Sequence, residues 1–355
     1  MMPHILFVTE KWCDGNPGCG KTNSEHNLFG SLHCSGLATH ECFHFDEFFR
    51  AHGAKSDRAL VRRLRDGWPR PDLVIATPLW GCELSPDLAT YAQIFDSGIP
   101  IIFLWFDAAQ PHIQSLAKEL SRISAATIIL DIASHEVFHD PKFIAMWTPQ
   151  DPRIFHNTNQ ARNVDVSFVG GLKAFPDRQA CLATVKEAGV GVLQSGGQRE
   201  TNLSVTDYAA IHQSSKISLN FCRTPGGDLT QIKGRAFEVT RCGSMLLEDD
   251  NDHIKTWFQP GKDYVPFFSP DDLVDKIRYY LRHNDERETI AKNGHDKAMR
   301  LYNERMFWSR LLELGLRRPC GPLGGLLRRL RAQPLYRLPV RVWNKARRLV
   351  AAGAG

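Results

Sequence analysis

Two cations and a carboxylate lie close together in the stretch KGRAFEVTRCGSMLLEDD, residues 233–250. Lys233 and Arg235 are two residues apart, and Glu238 follows in the first turns of a short buried helix predicted over 236–242. The cations suit the negative charge of a diphosphate, and the carboxylate suits the two hydroxyl groups of a ribose. The same residues also fit a capped helix that carries a surface ion pair between Glu238 and a neighbouring arginine.

The elements that must position these residues alternate between strand and helix. Buried strands are predicted at 5–8, 41–45, 72–76, 99–105 and 127–130, and helices at 24–36, 58–66, 84–97 and 111–121. After a polar connection at 149–163, strands are predicted at 166–169, 190–194, 217–221 and 244–247, and helices at 177–188, 236–242, 271–283 and 285–301. Short apolar strands that alternate with helices are typical of parallel sheets covered on both faces.

The restart of this pattern predicts an α/β protein with two doubly wound, Rossmann-like domains that face a cleft. We expect an N-terminal domain over residues 1–150 and a second domain over residues 151–315. A length of 355 residues suits two domains of this size. Residues 316–355 are predicted to form a separate basic tail.

The stretch GRAFEVTRCGSMLLEDD, with FQPGKDYVPFFSPDDLVDKIRYYLRHNDERETIAKNGHDKAM after it, resembles the C-terminal domain of GT-B glycosyltransferases. It is most similar to the spore-protein, or CgeB-like, branch. The pattern of that branch is R-x-F-E-x-x-x-x-G, then f-x-P-G-x-E, then s-x-x-E-L-x-x-x-I-x-x-y-L. The similarity covers roughly residues 164–312. Many retaining relatives carry a second glutamate eight residues before the helix glutamate, and Thr230 occupies that position here.

The resemblance implies a GT-B fold and a glycosyltransferase of the hexosyltransferase type. It also implies that the N-terminal domain, residues 1–150, is on the acceptor side and that residues 151–315 form the nucleotide-sugar-binding domain. Such an enzyme moves a sugar from a nucleotide-diphosphate donor to a hydroxyl of a saccharide, lipid-linked or protein acceptor, with no bound metal or other cofactor. We expect Lys233, Arg235 and the amides of Gly170 and Gly171 to stabilise the diphosphate. We expect Glu238 to anchor the ribose. The Gly-Gly pair is equally consistent with an ordinary strand-to-helix turn.

Two further residues complete the predicted site. Asp107 follows a predicted N-terminal strand, so the topology places it at the cleft, where it could act as a base or bind the acceptor. Arg178 could add a phosphate contact from the helix after Gly171. A helix cap for Asp107 and a solvated helix face for Arg178 are the alternatives.

Residues 15–22, GNPGCGKT, satisfy the Walker A pattern, in which backbone amides and a lysine bind phosphates. Asp107 and Asp131 end strands in the manner of Walker B aspartates. Against a P-loop, five residues separate the first strand from Gly15, and the helix after Thr22 opens without an apolar face. We therefore predict a glycosyltransferase and keep two alternatives, a non-catalytic sugar-nucleotide-binding protein and a P-loop NTPase.

The composition limits the class of protein and its location. A chain that is 43% hydrophobic and 23% charged is ordinary for a globular protein, and no run of eighteen apolar residues predicts a membrane span. The start MMPHILFVTE does not read as a signal peptide, and nine cysteines without a CxxC pair indicate reduced thiols. The spacing of Cys13 and Cys19 to the nearby histidines fits no common zinc pattern. We expect a cytoplasmic protein.

The net charge of +5 is concentrated in the tail. Residues 316–355 contain ten lysines and arginines and no acidic residue, which leaves 34 basic against 39 acidic residues elsewhere. The globular part therefore does not indicate nucleic-acid binding. Residues 326–350 combine basic and apolar side chains and favour peripheral attachment to an anionic membrane at its inner face. A solvated tail and a helix docked on the N-terminal domain are the alternatives.

Overall fold

The computed structural model describes residues 2–79, 83–133, 142–196, 203–225 and 229–316 as two α/β units on either side of a cleft. The predicted tail segment 326–350 lies outside the described residues. In the described part of the chain, no helix combines the length and the hydrophobicity needed to span a bilayer.

A parallel six-stranded sheet in the order β2-β1-β3-β4-β5-β6 forms the centre of the N-terminal half. Its strands are β1 (His4–Thr9), β2 (Thr39–His44), β3 (Leu73–Ala76), β4 (Ile101–Trp105), β5 (Ala126–Ile129) and β6 (Phe143–Ala145). A π-helical segment, Glu25–Gly30, continues into α1 (Ser31–Ser35), followed by α2 (Phe45–His52), α3 (Asp57–Asp66), α4 (Leu88–Asp96) and α5 (Pro111–Ser121). Strands β3, β4 and β5 are buried along their whole length, which explains their continuous apolar sequences.

A parallel five-stranded sheet in the order β11-β10-β9-β7-β8 forms the centre of the C-terminal half. Its strands are β7 (Val164–Val169), β8 (Leu193–Ser195), β9 (Ser215–Asn220), β10 (Met245–Asp249) and β11 (Val265–Phe267). Its helices are α6 (Pro176–Glu187), α7 (Val205–Ser214), α8 (Arg235–Cys242), α9 (Asp252–Lys255), α10 (Pro270–Arg282) and α11 (Asn284–Leu301), before a last helix, α12 (Glu304–Leu316). Gly243 ends α8 with a φ of 73°, a backbone conformation that glycine adopts without strain.

The prediction of two doubly wound, parallel α/β sheets is confirmed. Most predicted elements are found within a few residues of their expected limits, and α5 has the predicted bounds. The sequence analysis did not predict β6, β11, α2, α7, α9 or α12. Strands β6 and β11 lie at sheet edges and have only three residues each. They are too short to show a recognisable strand pattern in the sequence.

The last helix leaves the C-terminal half and packs on the N-terminal one. Trp308 of α12 is fully buried, its Nε1 donates to Ser31 Oγ at 2.9 Å, and its ring meets the edge of Phe7. At the start of the same helix, Glu304 pairs at 3.0 Å with Arg241 of α8, which is also buried. The helix therefore connects the two halves through both apolar packing and an ion pair.

The chain order reverses at the first strand of each sheet, because β1 lies between β2 and β3 and β7 lies between β8 and β9. Loops that leave such a switch point in opposite directions open a crevice at the carboxyl ends of the strands. Thr9 and Thr77 from the first crevice and Gly170 from the second line one shared cavity of about 950 Å³. The sheet topology alone thus places the cleft between the two halves.

Candidate functional site

The cleft between the two sheets contains all of the predicted site residues except Arg178. Its lining includes Asp107, Gly170, Gly171, Lys233, Arg235 and Glu238. The three residues from the stretch that begins at Lys233 lie on the C-terminal wall, and Asp107 lies on the N-terminal wall, directly beyond β4.

Glu238 is buried in α8, with 6% of its surface exposed, and faces the cleft. The hydroxyl of Tyr208 donates to Glu238 Oε2 at 2.5 Å. Burial raises the pKa of Glu238, whereas the hydrogen bond from Tyr208 and the charge of Arg235 oppose the rise. Among the described residues, no donor is bonded to the second oxygen, Oε1, so that oxygen is available to a ligand.

The guanidinium of Arg235 is fixed by a chain of hydrogen bonds to a buried acid. Its Nη1 donates to Asn220 Oδ1 at 2.6 Å, and Asn220 Nδ2 donates to Glu248 Oε2 at 2.7 Å. Burial raises the pKa of Glu248 to about 8, although the hydrogen bond from Asn220 lowers it. Because Asn220 uses its oxygen on one side and its nitrogen on the other, its amide has one favoured orientation, and Arg235 is held at the end of β9.

Gly170 gives Arg235 the space that it occupies. A Cβ atom built on Gly170 would overlap with Nη2 of Arg235 and would lie 3.1 Å from Cζ of Phe168. The amide of Gly170 already donates to the carbonyl oxygen of Ser195 at 3.0 Å. Among the described residues, the amide of Gly171 has no such acceptor, so Gly171 is the member of the pair whose amide is left for a ligand.

Arg178 lies behind this turn, outside the lining of the cleft. Its Nη1 donates to the carbonyl oxygen of Gly171 at 2.6 Å, and its guanidinium stacks on Phe175 with Cζ 3.8 Å from the ring centroid. Only 4% of its surface is exposed. In this position Arg178 supports the turn that carries Gly171.

The side chain of Lys233 lines the cleft and has no hydrogen bond or ion pair with any described residue; its ammonium nitrogen lies 5.8 Å from the centroid of the Phe175 ring. Burial lowers the pKa of Lys233 to about 8, and the positive charges of Arg178 and Arg235 act in the same direction. The nearby acids Asp107 and Asp131 oppose this change. A cation that is partly stripped of water and unpaired is suited to an anionic ligand.

The N-terminal wall contributes an acid that the sequence analysis noted only as the end of a strand. Asp131 is 2% exposed and lines the cleft, and its Oδ2 accepts a hydrogen bond from the amide of Ala109 at 2.9 Å. Burial raises the pKa of Asp131 to about 7. By contrast, Asp107 is exposed. His26 also lines this wall from the π-helical segment, and burial lowers its pKa to about 4, so it is neutral at pH 7.

The loop that satisfies the Walker A pattern is folded on itself. It forms two tight turns, Cys13–Gly15 and Pro17–Cys19, in which the amides of Cys19 and Gly20 donate to carbonyl oxygens of the loop. Lys21 pairs with Glu25 at 3.3 Å. With these amides and the lysine engaged inside the loop, its geometry differs from a phosphate-binding P-loop.

The cysteines and histidines near this loop do not gather into one cluster. Neither Cys13 nor Cys19 forms a disulfide bond. Over the described ranges, no three His, Cys, Asp or Glu side chains come together in a way that could hold a metal ion. The described cations that line the cleft are Lys173, Lys233 and Arg235.

Comparison by sequence finds one similarity, and it lies in the C-terminal half of the chain. Residues 164–312 match a family model described as glycosyl transferase-like. This span contains the whole C-terminal sheet together with Lys233, Arg235 and Glu238. No curated protein matches the chain by sequence.

Comparison by structure extends to both halves. The structure is similar to that of HepE from Anabaena in complex with UDP and glucose, with a TM-score of 0.61, 12% identity and coverage of 88% of this chain and 99% of HepE. A glycosyltransferase from Rickettsia africae has a TM-score of 0.60 and 9% sequence identity, and the match covers 89% of this chain and 99% of that protein. Sucrose-phosphate synthase from Thermosynechococcus elongatus has a TM-score of 0.54 and 11% sequence identity, and the match covers 93% of this chain and 100% of that protein.

These similarities confirm the predicted GT-B fold. The matched C-terminal domain supports the predicted glycosyltransferase that uses a nucleotide-sugar donor. Neither comparison identifies the CgeB-like branch, so that assignment stays a prediction.

Replacing Gly170 by alanine should displace Arg235 with little effect on the fold, because the added methyl group meets the end of a long side chain. We expect affinity for UDP or GDP to fall about tenfold, equivalent to ~1.4 kcal/mol, in calorimetric titrations. Gly191→Ala is the matched control, since a Cβ atom there meets nothing within 4 Å. Equal affinity in the two variants would contradict this account of Gly170.

Lys233 should make nucleotide binding depend on pH. Its ammonium group is charged below a pKa of about 8, so binding of UDP or GDP should weaken as pH rises through 8. Above pH 7 the terminal phosphate, with a second pKa of roughly 6, no longer changes its charge. In Lys233→Arg the cation stays protonated, and the decline between pH 7 and 10 should disappear. A profile with the same slope in both proteins would show that another group titrates.

Proposed function

We propose that the protein transfers a sugar from a uridine-diphosphate sugar to a hydroxyl group of an acceptor. The observation that carries the proposal is the arrangement of Glu238, Arg235 and Lys233 along one wall of the interdomain cleft. HepE, which shares the fold, has been crystallised with UDP and with UDP-glucose, and this favours a uridine nucleotide. The helix sequence R-x-F-E supports the narrower assignment to the CgeB-like branch.

The C-terminal wall binds the nucleotide in this proposal. Oε1 of Glu238 accepts hydrogen bonds from the ribose hydroxyls, while Tyr208 holds the other oxygen of the carboxylate. Arg235, Lys233 and the amide of Gly171 surround the diphosphate. When the bond from the sugar to the diphosphate breaks, negative charge develops on the leaving oxygen. These fixed donors stabilise that charge without having to reorganise.

The N-terminal wall supplies the acceptor side. The carboxylate of Asp107 lies at the rim of the cleft, where an acceptor enters, and takes the proton of the attacking hydroxyl. Arg178 has a positioning role, because it holds the carbonyl oxygen of Gly171 and so supports the turn that carries the Gly171 amide. A saccharide, a lipid-linked sugar or a protein hydroxyl could serve as the acceptor.

A non-catalytic sugar-nucleotide-binding protein is the second candidate. It is favoured by Thr230, which stands where many retaining relatives have a second glutamate. Release of UDP from a UDP-sugar, measured with a coupled assay and a panel of saccharide acceptors, separates the two functions. A protein that binds UDP tightly but never releases it from a UDP-sugar belongs to the second class.

Glu238→Ala should weaken UDP binding by ~1–3 kcal/mol, because a charge-assisted hydrogen bond to the ribose is lost. Calorimetry with UDP gives the affinity, and far-UV circular dichroism checks the fold. Glu187→Ala, which removes an exposed acid at the end of α6, is the control and should bind UDP like the wild type. Unchanged affinity in a folded Glu238→Ala protein would exclude the ribose role.

We further propose that residues 326–350 hold the enzyme against an anionic membrane, where a lipid-linked acceptor would be found. Each basic residue near such a surface contributes ~1 kcal/mol. Val342, Trp343 and Leu349 would share the apolar face of a helix beside Arg341 and Lys345.

The full chain should therefore sediment with vesicles that contain phosphatidylglycerol, and a chain that ends at Leu316 should stay in the supernatant. Vesicles of phosphatidylcholine alone should retain much less of the full chain. A variant with Arg328, Arg329 and Arg331 all changed to glutamine should bind in between. Equal sedimentation of the full and shortened chains would rule out the attachment.

A further inference from the structure

Two buried oxygen atoms in the cleft lack a hydrogen-bond donor among the described residues. They are Oδ1 of Asp131 and Oε1 of Gln231, and each side chain has 2% of its surface exposed. Both residues line the cleft, one from each half of the molecule. A buried acceptor without a donor is unfavourable, so a ligand that donates a hydrogen bond to it relieves that cost.

The backbones of the two residues are brought close by a hydrogen bond between the halves. The carbonyl oxygen of Asp131 accepts from the amide of Ile232 at 2.7 Å, directly beside Gln231. The other carboxylate oxygen of Asp131 is held by the amide of Ala109, and the amide of Gln231 donates to Cys222 at 2.9 Å. The carboxyl group of Asp131 and the backbone of Gln231 are therefore held in place, and the two unpartnered oxygens can accept hydrogen bonds from a ligand.

The position of this pair follows from the order of groups along the C-terminal wall. Gln231, Lys233 and Arg235 stand at alternate positions of the segment that leads into α8, and all three line the cleft. Glu238 lies one turn further on. In a nucleotide sugar, the sugar follows the diphosphate, which follows the ribose. With the ribose at Glu238 and the diphosphate at Arg235 and Lys233, the sugar reaches the level of Gln231 and Asp131.

We propose that Asp131 and Gln231 form the subsite that binds the hydroxyl groups of the transferred sugar. The proposal rests on the function proposed above, since it assumes a nucleotide-sugar donor in the cleft. Sugar hydroxyls donate hydrogen bonds, and both oxygens accept them. A site with buried acceptors rejects a ligand that lacks the matching hydroxyl, so this pair decides which sugar is transferred.

The other carboxylates that line the cleft are less suited to this role. Glu10 accepts a hydrogen bond from the amide of Gly15, at 3.3 Å, and thereby belongs to the first loop. Glu238 is bonded to Tyr208. Asp107 is exposed to water, which competes for its hydrogen bonds. Of these four carboxylates, only that of Asp131 has an oxygen atom that is itself buried and has no described donor.

The test compares the affinity for UDP with that for UDP-glucose, UDP-galactose and UDP-N-acetylglucosamine by calorimetry. For the UDP-sugar that the wild type binds most tightly, Asp131→Ala should weaken binding at least tenfold and Gln231→Met about fivefold. Neither variant should change the affinity for UDP by more than twofold. Asp131→Asn, which can still accept from Ala109, should give a smaller loss and serves where Asp131→Ala does not fold.

Gln114→Ala is the matched control, because Gln114 donates to the carbonyl oxygen of Ala109 and steadies the same turn without reaching Asp131. It should leave the affinities for UDP and for the UDP-sugar unchanged. Equal losses for UDP and the UDP-sugar, or a loss in Gln114→Ala as large as that in Asp131→Ala, would overturn the subsite. A wild-type protein that binds no uridine nucleotide would overturn the proposed function and this inference with it.

Discussion

The cost of burying charged groups governs how the C-terminal wall of the cleft is built. Glu238 is buried in α8, and Arg235, one turn before it, is half-buried, so each is stabilised by a partner within the protein. Arg235 is bonded through Asn220 to the buried acid Glu248, and Glu238 is bonded to Tyr208. Removing one member of such a network leaves the next one without a partner. The side chains that face a ligand are therefore fixed before it binds.

Lys233 is the contrasting case, because no described residue pairs with it. Its lowered pKa reflects the same removal from water, made stronger by the two nearby arginines. A diphosphate would provide the missing countercharge, so nucleotide binding would relieve a cost that the free protein carries. The fold of the segment before α8 therefore places an unpaired positive charge where we propose that the diphosphate binds.

The two walls have different chemical characters, and the structure holds them together at two places. The described lysines and arginine that line the cleft belong to the C-terminal wall, whereas three of the four described carboxylates, those of Glu10, Asp107 and Asp131, belong to the N-terminal wall. The backbone bond from Ile232 to Asp131 joins the walls at the floor of the cleft. At the second place, Trp308 of α12 is buried against α1. Replacing a tryptophan in such a position by alanine typically lowers the free energy of unfolding by ~3–5 kcal/mol. The backbone bond thus fixes the floor of the cleft between a wall that carries cations and a wall that carries mainly carboxylates.

The amino-acid sequence by itself determined the two parallel sheets, the turn at Gly243 and the cluster of Lys233, Arg235 and Glu238. Apolar strands and a glycine-ended helix leave local patterns that can be read directly. The partners Tyr208, Asn220 and Glu248, and the return of α12 to the N-terminal half, depended on the tertiary structure. They lie up to 30 residues from the groups that they hold, or on the other half of the molecule. Asp131 could be recognised as the end of a strand, but its place beside Gln231 was decided only by the packing of two loops from different domains, because such contacts leave no periodic signal in the chain.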